Sequence, residues 1–252
     1  MRKRWGAIIL AAGSGERYGG LKQIEKINGV TVLEWAIRRT IPHVDEIILV
    51  VSPEVRTGMN PWCSGVKALV LGGTSRFESM VAGLEVLWPM DYVMIVDAVR
   101  CNTPAEIYIE VKKIIEFGYF GTCPLMDPSE TVIARGRGKK YYPLARGEAQ
   151  ICQTPEAYEI KSLLKLIEKS KKHVSYKHWD NLFIGAMIVS GFNIKHFRYI
   201  DGDPRNIKIT YPRDLVIMKD LWVPFNEPSR VCVREDDIEG WAAIDEPPPF
   251  AQ

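Results

Sequence analysis

Cysteine is scarce in this chain and carries no pattern. The 252 residues hold five, Cys63, Cys101, Cys123, Cys152 and Cys232, an odd number without a C-x-x-C pair. That argues against a disulfide scaffold and a thiolate zinc site, and points to a reducing, cytoplasmic compartment. Histidine is scarcer still, with four residues and no HExxH, which argues against a His-built metal centre. Charge of one sign is missing too. Lys and Arg total 33 against 31 Asp and Glu, a balance that gives no support to a nucleic-acid-coating surface. No apolar run reaches the roughly 18 residues needed to span a bilayer. The basic Met1–Arg4 followed by apolar Trp5–Ala12 imitates a secretory leader. However, the apolar stretch is short and runs into a charged, Gly-rich segment, so it reads as a buried strand.

What the chain does have is an alternation of strand-length apolar runs with helical patterns. Residues 7–12 (AIILAA), 46–51 (EIILVV), 66–71 and 92–96 (YVMIV) read as buried strands. Thr31 is placed to cap a helix, Ser75 and Glu78 form a capping box, and Thr103, Pro104 and Glu106 occupy N-cap, N1 and N3 positions. Near-continuous apolar strands separated by helices predict an α/β fold with a mostly parallel sheet covered on both faces. Beyond Pro124 the pattern changes. Residues 131–134 and 140–144 flank Arg135-Gly136-Arg137-Gly138 and predict a protruding β-hairpin arm over about 126–148, its basic cluster read as a solvated tip. Thr154-Pro155-Glu156 is read as opening a helix to about Lys171, Asn206–Thr210 as a strand, and Pro212 as starting a helix through Leu221. The expected domain therefore covers 1–222. Residues 223–252, with seven acids against two arginines and five prolines, read as an acidic, Pro-rich extension.

The segment richest in chemistry is Leu10-Ala11-Ala12-Gly13-Ser14-Gly15-Glu16-Arg17, with Lys22 close behind. Small residues after a strand let backbone N–H groups approach and cradle phosphate oxygens, and Arg17 and Lys22 add fixed positive charge. A Walker A loop fits poorly. Gly15 and Gly20 have the right spacing, but Leu21 intervenes and Gln23 takes the hydroxyl position. A dinucleotide fingerprint fits poorly too, because Gly13, Gly15 and Gly19 give G-x-G-x-x-x-G.

The loop instead resembles the nucleotidyltransferase signature LAAGxGxR…(P)K. Gly72-Gly73-Thr74-Ser75-Arg76-Phe77-Glu78-Ser79 resembles GGxxRxxS, Asp97-Ala98-Val99-Arg100 resembles DAxR, Gln153-Thr154-Pro155 resembles QTP, and Asn206 to Leu215 resembles NIKITxPxDL. These motifs, in order over about residues 6–222, are similar to the cytidylyltransferase family of methylerythritol phosphate and ribitol-5-phosphate cytidylyltransferases. The resemblance implies a Rossmann-like nucleotidyltransferase fold and transfer of CMP from CTP to a small polyol phosphate, with release of pyrophosphate. Methylerythritol 4-phosphate is the expected acceptor, and ribitol 5-phosphate or another small phosphate or phosphonate the alternative. A nucleotide-binding protein without turnover is the alternative of a different class; the retained charges Arg17, Lys22, Asp97 and Lys208 argue against it.

By the same resemblance, the backbone at Ala11, Ala12, Gly13, Ser14 and Gly15 would hold the triphosphate. Arg17, Lys22 and Lys208 would neutralise the α-phosphate and leaving group, with Asp97 helping to hold Mg²⁺. Gly73, Thr74, Ser79 and Ala98 would line the nucleoside pocket. Asp97, Arg100 and Lys208 would meet the acceptor, joined by Thr131 and Arg146 of the arm across a homodimer interface. The departures are Leu21 and Cys101, each where the family has Pro, and Trp179-Asp180-Asn181 where it has a TDDA-like segment.

Overall fold

Alternating side chains along the first strand decide the layering. In β1 (Trp5–Ala11), Ile8 points to one side of a sheet while Ala7 and Ile9 point to the other, and all three are buried. A strand buried on both faces needs helices on both faces. The computed structural model, which describes residues 2–58, 65–87, 89–136, 138, 140–170 and 197–222, supplies them. On the Ile8 face lie α3 (Arg76–Leu87), through Met80, Leu84 and Leu87, and α5 (Ile160–Ser170), through Leu163, Leu166 and Ile167. On the Ile9 face lie α1 (Val32–Thr40), through Leu33 and Ile37, and α4 (Ala105–Glu116), through Tyr108, Val111 and Ile115. Among the described residues, no helix is long and apolar enough to cross a membrane.

The sheet is mixed and mostly parallel. β1 pairs in parallel with β4 (Glu46–Val51) and β6 (Tyr92–Asp97), and β4 pairs in parallel with β5 (Val66–Leu71). The chain thus steps from β1 outward to β4 and β5, then returns to the other side of β1 for β6. Loops at the C-terminal ends of β1 and β6 therefore diverge and leave a crevice, the usual ligand position in such sheets. Beyond β6 come β11 (Glu156–Glu159), antiparallel, and β7 (Gly121–Met126), which also pairs antiparallel with β10 (Ile151–Cys152) and parallel with β12 (Phe197–Asp201). A small hairpin, β2 (Lys26–Ile27) with β3 (Val30–Thr31), leads into α1. β8 (Ile133–Arg135) and β9 (Tyr141–Pro143) form the hairpin expected from the glycines between them, with exposed Ile133, Tyr141 and Tyr142.

Several expectations are corrected. Glu156–Glu159 is a strand, because Ala157 and Tyr158 fill the slot between β6 and β7; the helix starts only at Ile160. Asn206–Thr210 forms no strand among the described residues: it leaves a turn at Asn206 and runs on without a ladder. Its anchors are Asn206 N–H to the Asp203 carbonyl (3.0 Å) and Ile209 N–H to the Val99 carbonyl (3.0 Å). Thr103 does not cap α4; its hydroxyl reaches the Arg100 carbonyl (2.8 Å) and Asn206 Oδ1 (2.8 Å), and the helix begins at Ala105. Half of the predicted capping box forms, with Glu78 N–H donating to Ser75 Oγ (3.1 Å), but the Glu78 carboxylate takes the N–H and hydroxyl of Thr74 instead. Thr31 does cap α1, accepting from Glu34 N–H at 3.2 Å. Trp179-Asp180-Asn181, the tip residues Arg137 and Lys139, and the 223–252 extension lie outside the described residues.

A third apolar cluster fixes what the ladder does not. Ile27, Val32, Trp35, Val99, Ile209 and Met218 pack together, joining α1 to the end of β6 and to α6 (Pro212–Asp220). Beside it, fully buried Asn206 donates to the Thr154 carbonyl (2.9 Å) and Gln153 Oε1 (3.2 Å), and its own carbonyl accepts from Arg100 Nη1 (2.6 Å). Asn206 thus holds the strandless segment that carries Lys208. Asn206→Ala removes the side-chain amide bonded to the Thr154 carbonyl, Gln153 Oε1 and the Thr103 hydroxyl, leaves the buried Thr154 carbonyl without that donor, and is expected to destabilise the protein by about 2 kcal/mol or more, read by urea unfolding; a loss under about 0.5 kcal/mol contradicts that role.

Candidate active site

The loop after β1 turns back on itself around Gly15. The Gly15 carbonyl accepts from the N–H groups of Tyr18 (2.8 Å), Gly19 (2.9 Å) and Gly20 (3.4 Å). Gly15 sits at φ 74°, and a Cβ there would lie 1.9 Å from the Gly20 carbonyl oxygen, so only glycine closes this turn. Among the described residues, nothing takes up the N–H groups of Gly13 to Arg17. A run of unclaimed N–H groups beside fixed positive charge is an anion site.

The charge comes from distant stretches of chain. A cavity of about 530 Å³ is bordered by Ala12, Gly13, Ser14 and Arg17 of the loop, by Lys22, by Asp97 and by Lys208. Lys22 is only 9% exposed, and among the described residues no carboxylate pairs with its ammonium. Burial, then the charges of Lys208 and Arg17, push its pKa below the usual lysine range. A cation buried among cations lacks its counter-ion.

Asp97, at the end of β6 and 6% exposed, organises the opposite wall. Arg76 Nε and Nη2 both donate to its Oδ1 at 3.2 Å, Lys208 Nζ donates to Oδ2 at 2.8 Å, and Arg100 Nε lies 4.0 Å from Oδ2. Burial alone would raise the Asp97 pKa; Arg76, Lys208 and Arg100 overcome it and hold the carboxyl well below the usual range. Arg76 is shared with buried Glu156, whose Oε1 accepts at 3.0 Å while Oε2 accepts from the Tyr158 hydroxyl at 2.7 Å. The Asp97 N–H donates to Thr154 Oγ1 (3.0 Å), tying the carboxylate to the QTP segment.

The GG turn forms the remaining wall. A Cβ at Gly72 would lie 2.3 Å from Ala12 Cβ, so glycine lets the β5 end meet the phosphate loop. Gly73, Thr74 and Ser79 border the cavity; the Ser79 hydroxyl donates to the Ser75 carbonyl at 2.9 Å. The remaining predicted residues do not border it. Ala11 and Ala98 are buried in the sheet core, and Gly15 lies within the turn. Arg100 is 7% exposed, its guanidinium spent on the Asn206 and Cys152 carbonyls. Thr131 and Arg146 are exposed beside the β8–β9 hairpin. Sequence reasoning quoted Arg76 within its motif but gave it no role, and missed Gln23 and Glu156. Arg76 carried a usable signal, a charge three residues before the motif serine.

Strand order, glycine loop and converging cations make an α/β fold with a crevice suited to a phosphorylated ligand. Family comparison is specific. The model of the 2-C-methyl-D-erythritol 4-phosphate cytidylyltransferase (IspD) family matches residues 6–221, and the chain belongs to that family. A relative from Clostridium beijerinckii, named 2-C-methyl-D-erythritol 4-phosphate cytidylyltransferase, is 30% identical over 223 residues, covering 84% of this chain and 95% of the relative. One from Prochlorococcus marinus with the same name is also 30% identical, covering 85% and 96%. Among solved structures, the Francisella tularensis enzyme of that name superposes with a TM-score of 0.73 at 22% identity, covering 87% of this chain and 100% of its own.

The ion cluster sets a pH dependence. Because the Asp97 pKa is depressed in the folded state, its stabilisation is present above the unfolded value, about 3.9, and fades as pH falls from there through the folded value. Unfolding free energies of the parent and Asp97→Asn should therefore differ by a constant amount between about pH 6 and 8 and converge below about pH 4. A gap that does not narrow as pH falls below about 4 would contradict the assignment.

Proposed function

We propose that this protein transfers CMP from CTP to 2-C-methyl-D-erythritol 4-phosphate and releases pyrophosphate. The observation that carries the reading is Lys22, buried with no carboxylate in contact among the described residues and gathered with Lys208 and Arg17 around one cavity beside a loop of unclaimed N–H groups. A triphosphate supplies the missing negative charge. An acceptor phosphate oxygen attacks the α-phosphorus, the bond to the bridging oxygen breaks, and its electron pair leaves with pyrophosphate. Two polyanions must meet and charge builds on the transferring group, so positioning and cationic stabilisation carry the rate. Lys22 and Arg17 stand on the loop side of this charge and Lys208 on the acceptor side, held there by Asp97.

Among the described residues, no three metal-ligating side chains gather. Asp97 and Glu16 are the carboxylates bordering the cavity, which fits Mg²⁺, an ion held through one or two carboxylates together with substrate phosphates and water. When bound, Mg²⁺ would neutralise phosphate charge, with Asp97 as its protein ligand. The exposed apolar side chains of the β8–β9 hairpin, Ile133, Tyr141 and Tyr142, support a homodimer in which Thr131 and Arg146 meet the partner's acceptor phosphate. Cys101, Cys123 and Cys152 are thiols rather than disulfides, which fits a cytoplasmic setting.

Pyrophosphate release from CTP and Mg²⁺ across a panel of polyol phosphates tests the reading: 2-C-methyl-D-erythritol 4-phosphate should be the best acceptor, and release with none of them would refute it. Lys22→Ala should lower kcat/KM by about 3 kcal/mol or more of transition-state stabilisation; a change below about tenfold would count against its role. Arg146→Ala should raise the KM for the acceptor and leave CTP affinity nearly unchanged; equal damage to both would make the arm structural.

A further inference from the structure

The chemistry proposed above leaves Gln23 unexplained. It is 1% exposed, borders the cavity, and follows Lys22 in the same short 3₁₀ turn, Lys22–Ile24. Its Nε2 donates to the carbonyls of Ala11 (2.9 Å) and Gly13 (2.7 Å), the two carbonyls that begin the phosphate loop. Two acceptors facing one side-chain amide fix which end is nitrogen. Its Oε1 is buried and, among the described residues, unpartnered. An orphaned buried oxygen costs stability, so a side chain kept for packing alone would be better served by an apolar group of the same length.

We infer that Gln23 is a positioning residue, a latch that aims the phosphate loop and couples it to Lys22. In a trans peptide the carbonyl and the following N–H point in opposite directions. Holding the Gly13 carbonyl on Gln23 turns the Ser14 N–H away from it and leaves that N–H for a ligand; holding the Ala11 carbonyl does the same for Ala12. Ala11 is also held by the β1–β4 ladder, but the Gly13–Ser14 peptide lies beyond it and without the latch is free to rotate, and a rotated peptide would present a carbonyl oxygen to the anion. The latch shares a turn with Lys22, so loop and ammonium move as one unit. That turn is closed by Lys22 N–H to the Gly20 carbonyl (3.0 Å) and Ile24 N–H to the Leu21 carbonyl (3.1 Å).

The inference rests on the cavity being a phosphate site, not on the transfer reaction, so inorganic tripolyphosphate is the probe. In the parent protein, tripolyphosphate should shift the Ser14 amide resonance and slow its hydrogen exchange. In Gln23→Met, which keeps length and removes the donor, the Ser14 response should vanish and affinity should fall about tenfold or more. A silent Ser14 amide in the parent, an affinity in Gln23→Met within about twofold of the parent, or a parent that does not bind tripolyphosphate each overturns the latch. The parent measurement stands even if the variant fails to fold. A parent with the Ser14 response that transfers no CMP supports the latch and removes the transferase reading.

Discussion

One carboxylate arranges the site. Asp97 ends a central strand and collects cations from three other stretches: Arg76 from the start of α3, Lys208 from a segment without ladder bonds, and Arg100 from the turn just beyond. Taking that many charges out of water is costly unless each is answered. The answers are all present: Glu156 takes a share of Arg76, backbone carbonyls take Arg100, and the Asp97 N–H rests on Thr154. The exception is Lys22 across the cavity, whose ammonium no carboxylate contacts among the described residues, Asp97 and Asp214 acting on it only at a distance. Asp97 and Glu156 answer two of the three positive charges of Arg76, Arg100 and Lys208 on one wall, and Lys22 and Arg17 add further positive charge on the loop side.

The fold makes this possible by where it ends its strands. β1 and β6 run parallel and adjacent, so their C-terminal ends deliver the glycine loop and Asp97 to the same crevice. The side wall is brought up by small residues, with Gly72 against Ala12 at the end of β5. Lys208 arrives by tertiary packing alone: Asn206 is bonded on every side, and Ile209 is sunk among Trp35, Val99 and Met218. The placement of Lys208 and the stability of this part of the fold are therefore drawn from the same few groups at the Asp97 end. At the Lys22 end, tuning for an anion leaves a cation unpaired and a glutamine oxygen orphaned.

The parallel core was legible because its strands are apolar on both faces and are separated by helical patterns; residues 7–12, 46–51, 66–71 and 92–96 needed no tertiary information. The glycine loop and its cations were legible from composition and spacing, and their common cavity from motif order. What escaped depended on partners far away in sequence. Glu156–Glu159 carries a helix-start signal, yet β6 and β7 claim it. Residues 206–210 alternate like a strand, yet among the described residues they pair with no other strand. Arg100 looks like a ligand arginine until the Asn206 and Cys152 carbonyls occupy it. Gln23 carried no local signal, since its partners are two backbone carbonyls that any sequence would supply.

The central claim is that a polyanion supplies the counter-charge that the folded chain withholds from Lys22. Titrating the Lys22 ammonium by NMR, without and with saturating CTP, measures this directly. The account predicts a pKa below the ordinary lysine value in the free protein, moving upward when CTP binds. A Lys22 that titrates like a surface lysine, or one that ignores CTP, would contradict it.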